Sequence, residues 1–203
     1  MVAVWLAIGH VVAVWGSGVI VTEAVRDLYR ACWGEPTRRA RFEVEEFDIE
    51  IYKWAADANP EGVALYATIG VSARPMVGHD PSHRVEFFLG LVPERDDVAS
   101  ALAALGLYST REGVALDHGH TVPAGGPLWP GTQMRTLMVL RPLSAFLPPL
   151  ELADGLHVDF LQVVPLFDSE QAFKSEHGAE ALLDRWEEAG VPFWNPERTP
   201  PFS

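Results

Sequence analysis

Residues 155–190 read GLHVDFLQVVPLFDSEQAFKSEHGAEALLDRWEEAG, and this stretch decides the class of fold. Its first part alternates as a β-strand does, with Leu156, Val158 and Phe160 on one face. Residues 160–164 are nearly all apolar, which is typical of a central strand that is covered on both faces. Pro165 is expected to end this strand because proline has no N–H to donate to a ladder.

Two helical segments follow the strand. We expect Asp168 to N-cap the first, with Gln171 completing a capping box, and Gly178 to end it. The second carries an apolar stripe that is suited to packing on a sheet, and Gly190 stands where a glycine that follows a helix belongs. A buried strand followed by helices that cover it predicts an α+β or α/β domain.

Similar patterns extend outward from this stretch. They predict helices near residues 22–33 and 96–106, and strands near residues 47–52, 63–70, 83–92 and 134–140. We interpret the arginines of residues 38–41 as part of a solvated connection, and residues 111–130, which are rich in Gly and Pro, as a loop. No repeat or linker divides the pattern, so we predict one domain over residues 22–203, preceded by a hydrophobic leader at residues 1–21.

The net charge indicates which partners are favoured, and the cysteine content excludes two kinds of cross-link or metal site. The chain has 15 Lys and Arg against 28 Asp and Glu, a formal net charge of −13. This charge serves solubility, and it favours a basic partner over nucleic acid or an anionic membrane. Cys32 is the single cysteine, so an internal disulfide or a cysteine metal cluster is excluded. We expect a buried, inert thiol and a reducing, cytoplasmic location.

Residues 1–21, MVAVWLAIGHVVAVWGSGVIV, contain no Asp, Glu, Lys or Arg. Their length and apolarity allow a membrane span, but His10, three glycines and the lack of a basic flank argue against one. The positive start and the cleavage site of a signal peptide are also missing. We favour a translation start near Val19 or Val21, with a real hydrophobic strand or helix as the alternative and a membrane tether as a third interpretation.

Residues 117–120 carry the pattern that comes nearest to a metal site. If His118 and His120 lie on a strand, both imidazoles share one face, as zinc ligands do. Asp117 is adjacent and His157 and Asp159 occur elsewhere, but the sequence fixes no third ligand. We therefore predict no metal, no cofactor and no catalytic residue, and we keep a metal-dependent hydrolase that uses His118 and His120 as the enzyme alternative.

Other catalytic signals are weak. The sequence has no convincing nucleophile elbow and no glycine-rich phosphate loop. Glu86 lies between Val85 and Phe87, where a general acid is conceivable, but the outer face of a strand is the ordinary place for a glutamate. The residues alone therefore indicate no enzyme.

Several segments together, in their order and spacing, resemble the suppressor-of-fused (SUFU-like) domain family. They are residues 66–72 (YATIGVS), 84–87 (RVEF), 127–131 (PLWPG) and 158–165 (VDFLQVVP), followed by Glu170 and Gly178. The NPER of residues 195–198 is similar to the closing Asp-Pro-x-Arg of the family, with Asn195 in place of Asp. The resemblance extends from about Ala24 to Phe202.

The resemblance implies an α+β fold with a mixed β-sheet flanked by helices, in a single domain without known catalysis. In animals the family sequesters a transcription factor by gripping a short peptide as an added strand between two lobes. This chain is long enough only for the first lobe, so we do not carry over transcription-factor binding. Bacterial stand-alone members are similar to immunity proteins, which implies a cytoplasmic protein that binds and neutralises a cognate toxin, here one of basic charge.

The resemblance implies three candidate partner contacts. The animal peptide groove uses a tyrosine after the middle helix, which Tyr108 matches, and an acidic residue in the next loop, which falls on Asp117 or on His120. Tyr108, Asp117 and His120 are therefore the expected contacts with a protein partner. The same resemblance implies that Arg84 and Glu170 hold the fold.

Overall fold

The computed structural model describes residues 20–76, 80–111, 114–142, 146–153 and 155–202. The expected leader at residues 1–21 lies outside these residues except for its last two positions. Among the helices of the described residues, none is long and apolar enough to cross a membrane.

The described chain forms one mixed β-sheet with helices on both faces. The helices are α1 (residues 20–33), α2 (Val98–Arg111), α3 (Asp168–His177) and α4 (Ala179–Ala189). The strands are β1 (Arg38–Val44), β2 (Phe47–Trp54), β3 (Ala64–Ile69), β4 (His83–Leu91), β5 (Thr121–Pro123), β6 (Thr136–Leu140), β7 (Leu150–Glu151) and β8 (His157–Leu166).

The strand order is β1-β2-β3-β4-β8-β6-β5, and β7 pairs with the beginning of β8. β4 and β8 pair in parallel, and the other pairs are antiparallel. Because β8 has β4 on one side and β6 with β7 on the other, the prediction of a central strand at residues 160–164 is confirmed. The predicted class, an α+β single domain with a mixed sheet flanked by helices, is confirmed as well.

The sheet has a hydrophobic core on each face, and β8 contributes to both because its successive side chains point to opposite faces. Leu161 and Val163 pack in the core that α2 covers through Leu102 and Leu105. Phe160 faces the other side.

On that other side Phe160 belongs to the core under α1, where it contacts the ring of Tyr29 with the ring centroids 5.5 Å apart. Further along the same face, Leu166 packs with Leu182 and Trp186 of α4. The stripe that predicted α4 as a cover for the sheet thus packs as expected, and Gly190 ends α4 in the left-handed conformation with φ 62°.

β8 does not end at Pro165, as predicted, but continues to Leu166. The carbonyl of Leu166 accepts the N–H of Arg135, so Leu166 faces β6 and, by alternation, Pro165 faces the opposite side. On that side the ladder with β4 has already finished, because its last pair joins Phe88 and Gln162. The missing N–H of Pro165 therefore costs no ladder hydrogen bond.

The predicted capping box at α3 was wrong by one position. α3 begins at Asp168, so the residue before it, Phe167, is the N-cap. The box partner is Glu170, whose Oε2 accepts the Phe167 N–H at 2.9 Å. The side chain of Gln171 instead donates to the hydroxyl of Thr121 at 3.2 Å.

Three further segments differ from the sequence predictions. α2 passes through Gly106 instead of ending there. This glycine serves close packing, since a Cβ at this position would lie 2.8 Å from Val71 Cγ2 and 2.9 Å from Ile49 Cδ1. The glycine lets the helix approach the sheet closely. The arginines of residues 38–41 lie in β1 rather than in a connection, and β5 lies within the segment predicted as a loop.

Candidate functional site

β5 forms one end of the sheet, and no other strand of the described residues pairs with its outer edge. The carbonyl of His120 accepts the N–H of Val139 in β6 at 2.8 Å, so His120 and, by alternation, Val122 face β6. Thr121 and Pro123 consequently direct their backbone groups away from the sheet. This edge offers the N–H and C=O of Thr121 and the C=O of Pro123 to an extended segment of another protein, as in strand addition.

The turn before β5 brings Asp117 and His120 together. The N–H of Asp117 donates to Nδ1 of His120 at 3.1 Å, and the N–H of His120 donates to the carbonyl of Asp117 at 3.0 Å. Gly119 has φ +77°, and a Cβ there would lie 2.9 Å from the Cβ of Ala179. The turn therefore requires glycine at this position for two reasons, the backbone conformation and the close approach to α4.

Asp117 is held in place by Arg141, the residue that follows β6, and by its own turn. Arg141 donates Nε to Oδ1 at 3.0 Å and Nη2 to Oδ2 at 2.8 Å, and the backbone N–H of His118 donates to Oδ1 at 2.7 Å. Burial raises the pKa of Asp117, but the hydrogen bonds from His118 and Arg141 outweigh it and hold the pKa below its ordinary value. Asp117 is therefore an ionised, oriented carboxylate in the turn that leads into β5.

Tyr108 lies on a different element, three residues before the end of α2, and is 39% exposed. It is one of the few large apolar side chains exposed in the described chain, together with Ile20, Val92 and Trp194. The structure thus places Asp117 and His120 in one turn and leaves Tyr108 on a separate helix.

His118 and His120 do not share one face of a strand, because they flank Gly119 in the turn. Nδ1 of His118 accepts the N–H of Arg141 at 3.2 Å, and its Nε2 lies 2.8 Å from Oε1 of Glu180. Both ring nitrogens of His118 are therefore engaged within the protein. Across the described ranges, no group of three His, Cys, Asp or Glu side chains is placed to hold a metal ion.

The β5 edge and Arg141 could not be found from the sequence. β5 has only three residues and ends in proline, so it carries no alternation signal. Arg141 is 24 positions from Asp117 and reaches it only because β6 lies beside β5.

The residues that carry the resemblance build two buried carboxylate sites near the sheet. The first is Glu170, which is fully buried and accepts Nη1 and Nη2 of Arg198 at 2.7 and 2.8 Å. Trp186 Nε1 and the Phe167 N–H donate to the same carboxylate, each at 2.9 Å, and Arg198 also donates to the Pro165 carbonyl. This ion pair fastens residues 195–198 to the beginning of α3, so Glu170 has a structural role.

The second carboxylate is Glu86, which lies on no outer face but is fully buried under α1. It accepts the hydroxyls of Thr68 and Ser72, each at 2.6 Å, and the N–H groups of Gly70 and Ser72 at 2.9 and 3.0 Å. Burial raises the pKa of Glu86, and these four hydrogen bonds oppose the increase. Glu86 thus holds the end of β3 against β4. Arg84, in the same strand, is also buried and donates to the carbonyl of Pro81.

Comparisons with known proteins agree on one family. The sequence profile of the Suppressor of fused protein (SUFU) family matches residues 44–199. No curated protein matches the chain at a significant level.

Solved structures with this fold come from bacteria and animals. A suppressor of fused homolog from Neisseria gonorrhoeae has a TM-score of 0.68 and 20% sequence identity, over 90% of this chain and 97% of that one. The structure entitled "the Sufu-Fu complex" has a TM-score of 0.64 and 16% identity, over 92% of both chains. Drosophila Suppressor of Fused has a TM-score of 0.62 and 16% identity, over 92% of this chain but only 51% of its own. These similarities establish the fold.

Proposed function

The chain belongs to the suppressor of fused family, and from this membership we propose that it is a non-enzymatic binding protein that holds an extended segment of a partner protein at the β5 edge. One relative is described in a complex, that of Sufu with Fu, so the fold serves protein association there. The observation that carries the proposal is the edge of β5, which no strand of the described residues covers, with the ionised Asp117 held in the turn before it.

The partner that we propose is a basic toxin, which the protein neutralises as an immunity factor in the cytoplasm. Two features support this choice. The net charge of −13 favours rapid association with a positively charged protein. The outer face of α4 adds exposed carboxylates at Glu180, Asp184, Glu187 and Glu188, on the side of the molecule where Glu180 meets the turn before β5. Such a surface favours neither nucleic acid nor an anionic membrane as the ligand.

The proposal is tested by capturing partners from the native host with the purified protein at low and at moderate salt. We expect a basic protein to be retained by the wild type and released by salt, because exposed charge pairs are screened. Thr121→Pro removes a backbone donor that faces away from β6, and Asp117→Asn removes the charge in the turn before β5. Each substitution is expected to weaken retention. Asp57→Asn, which removes an exposed carboxylate on the 3-10 turn at Ala56–Ala58, is the control for the loss of one negative charge.

Retention that is unchanged by Thr121→Pro and by Asp117→Asn contradicts the proposed surface. Metal analysis of the same preparation addresses the enzyme alternative. Stoichiometric zinc that is lost on combined substitution His118→Ala and His120→Ala would revive the alternative of a metal-dependent hydrolase.

A further inference from the structure

The other end of the sheet is formed by β1, which has β2 on one side and no strand of the described residues on the other. β1 pairs with β2 over its full length of seven residues, from Arg38 opposite Lys53 to Val44 opposite Phe47. The pairing has no bulge. A regular edge strand of this length is a template for a further strand, and it is longer than the three-residue β5.

The hydrogen-bond phase shows which residues of β1 face outward. The N–H of Thr37 donates to the carbonyl of Lys53 at 2.7 Å, so Lys53 turns its backbone groups toward β1. By alternation its neighbours at 51, 49 and 47 do the same, and so do their partners at 38, 40, 42 and 44. Arg39, Arg41 and Glu43 are left with their N–H and C=O groups directed away from β2, and all three side chains are exposed.

We propose that β1 pairs with β1 of a second copy of this chain, antiparallel about a twofold axis at Arg41. This register places Arg39 of each copy opposite Glu43 of the other, so two ion pairs form across the axis. The outward N–H and C=O groups of Arg39, Arg41 and Glu43 are in phase to exchange hydrogen bonds with the same three residues of the second copy.

The twofold axis itself brings two Arg41 side chains together, and the structure already neutralises each of them. Arg41 donates Nε and Nη2 to the carboxylate of Asp48 at 2.8 and 2.7 Å, so Asp48 compensates its charge. In the single chain Glu43 lies 3.0 Å from Nη2 of Arg41, and Arg39 lies 3.4 Å from Glu35; these two exposed contacts are exchanged for the pairs across the axis.

On the opposite face of the strand, the register places Ala40 of one copy against Phe42 of the other. Phe42 is half-buried and already packs on the core beneath α2, so the second copy extends an apolar surface that exists.

The pairing joins two eight-stranded sheets into one continuous sheet. A single strand–strand contact buries less surface than a standard protein interface, so we expect a reversible dimer whose population rises with concentration. Sedimentation velocity of the full chain over a wide concentration range measures this association.

Charge substitutions in β1 provide the decisive comparison. Glu43→Arg places arginine opposite Arg39, and Arg39→Glu places glutamate opposite Glu43, so each variant by itself is expected to dimerise about tenfold more weakly. An equimolar mixture of the two variants restores opposite charges at both positions. The mixture is expected to associate about as strongly as the wild type, although neither variant does so alone.

Glu187→Arg and Arg185→Glu on α4 make the same changes of charge away from β1, and their separate and mixed samples are the controls. The proposal is overturned if the wild type stays monomeric at every concentration, or if mixing the β1 variants restores nothing. It is independent of the β5 surface, because Thr121→Pro and Asp117→Asn are expected to leave dimerisation unchanged.

Discussion

Replacing Arg198 by methionine is expected to destabilise the protein by about 3–5 kcal/mol, the usual cost of removing one partner of a buried ion pair. Arg198 and Glu170 have only 3% and 0% of their side-chain surface exposed. The substitution removes two hydrogen bonds to Glu170 and one to the carbonyl of Pro165. The carboxylate keeps only the donors from Trp186 and Phe167.

Methionine is chosen because it keeps much of the packing of the arginine stem. The guanidinium carbon of Arg198 lies 4.7 Å from the ring centroid of Phe167 and 5.6 Å from that of Trp186. The loss of stability then reports the uncompensated carboxylate rather than a cavity. For a chain of this size the loss corresponds to a decrease in Tm of roughly 6–20 °C.

Urea denaturation followed by tryptophan fluorescence measures the free energy of unfolding, with Arg185→Met on the exposed face of α4 as the control. The control is expected to cost about 1 kcal/mol or less, since it removes only surface contacts with aromatic rings. Combining Glu170→Gln with Arg198→Met removes the unpaired buried carboxylate and is expected to recover part of the lost free energy of unfolding. If Arg198→Met stays within about 1 kcal/mol of the wild type, the buried pair does not fasten the C-terminal segment.

Three further substitutions or reactions test other features. The pKa of Glu86 is raised by burial, so its stabilising contribution is complete below the unfolded pKa of about 4.3 and is lost as the pH rises through the folded pKa. The stability of Glu86→Gln relative to wild type should therefore improve as the pH rises above the unfolded pKa, and an unchanged difference in urea titrations contradicts the assignment. Gly106→Ala should destabilise by about 1–3 kcal/mol despite the better helix propensity of alanine, because its Cβ meets Val71 and Ile49; a stabilised variant would show that α2 can move away from the sheet. Burial raises the pKa of the Cys32 thiol, so a disulfide reagent at mildly alkaline pH should modify it several-fold more slowly than a free thiol, and a rate equal to that of free cysteine rules this out.

The long elements could be predicted from the sequence because their residues repeat a period that only one structure satisfies. β4 and the first part of β8 alternate, the rest of β8 is a short apolar run, and α4 carries its stripe at helical spacing, so the types of these elements could be predicted. Pro165 and Gly106 misled the prediction of element ends for a tertiary reason. Pro165 is tolerated because the ladder between β4 and β8 ends before it, and Gly106 is needed because α2 packs closely on Val71. Both causes are tertiary contacts that the neighbouring sequence does not indicate.

Only part of the candidate site could be predicted from the sequence. Resemblance to the family pointed to Tyr108, Asp117 and His120, and the structure adds the outer edge of β5 and the fixed orientation of Asp117 by Arg141. β5 has no period of its own and exists because β6 pairs with it. Spacing also could not reveal that Gly119 turns the chain between His118 and His120, so the two imidazoles do not share a face.

The parallel pair at the centre of the sheet has a consequence for how the chain reaches its structure. β4 and β8 meet at residues 74 positions apart, as at His83 and His157, whereas β1 to β4 follow one another as a meander. During synthesis the meander can form first, and the second edge of β4 stays open until β8 has left the ribosome. A chain that stops before residue 155 would present this apolar edge to other molecules, so an incomplete product is expected to aggregate rather than persist as a smaller folded domain.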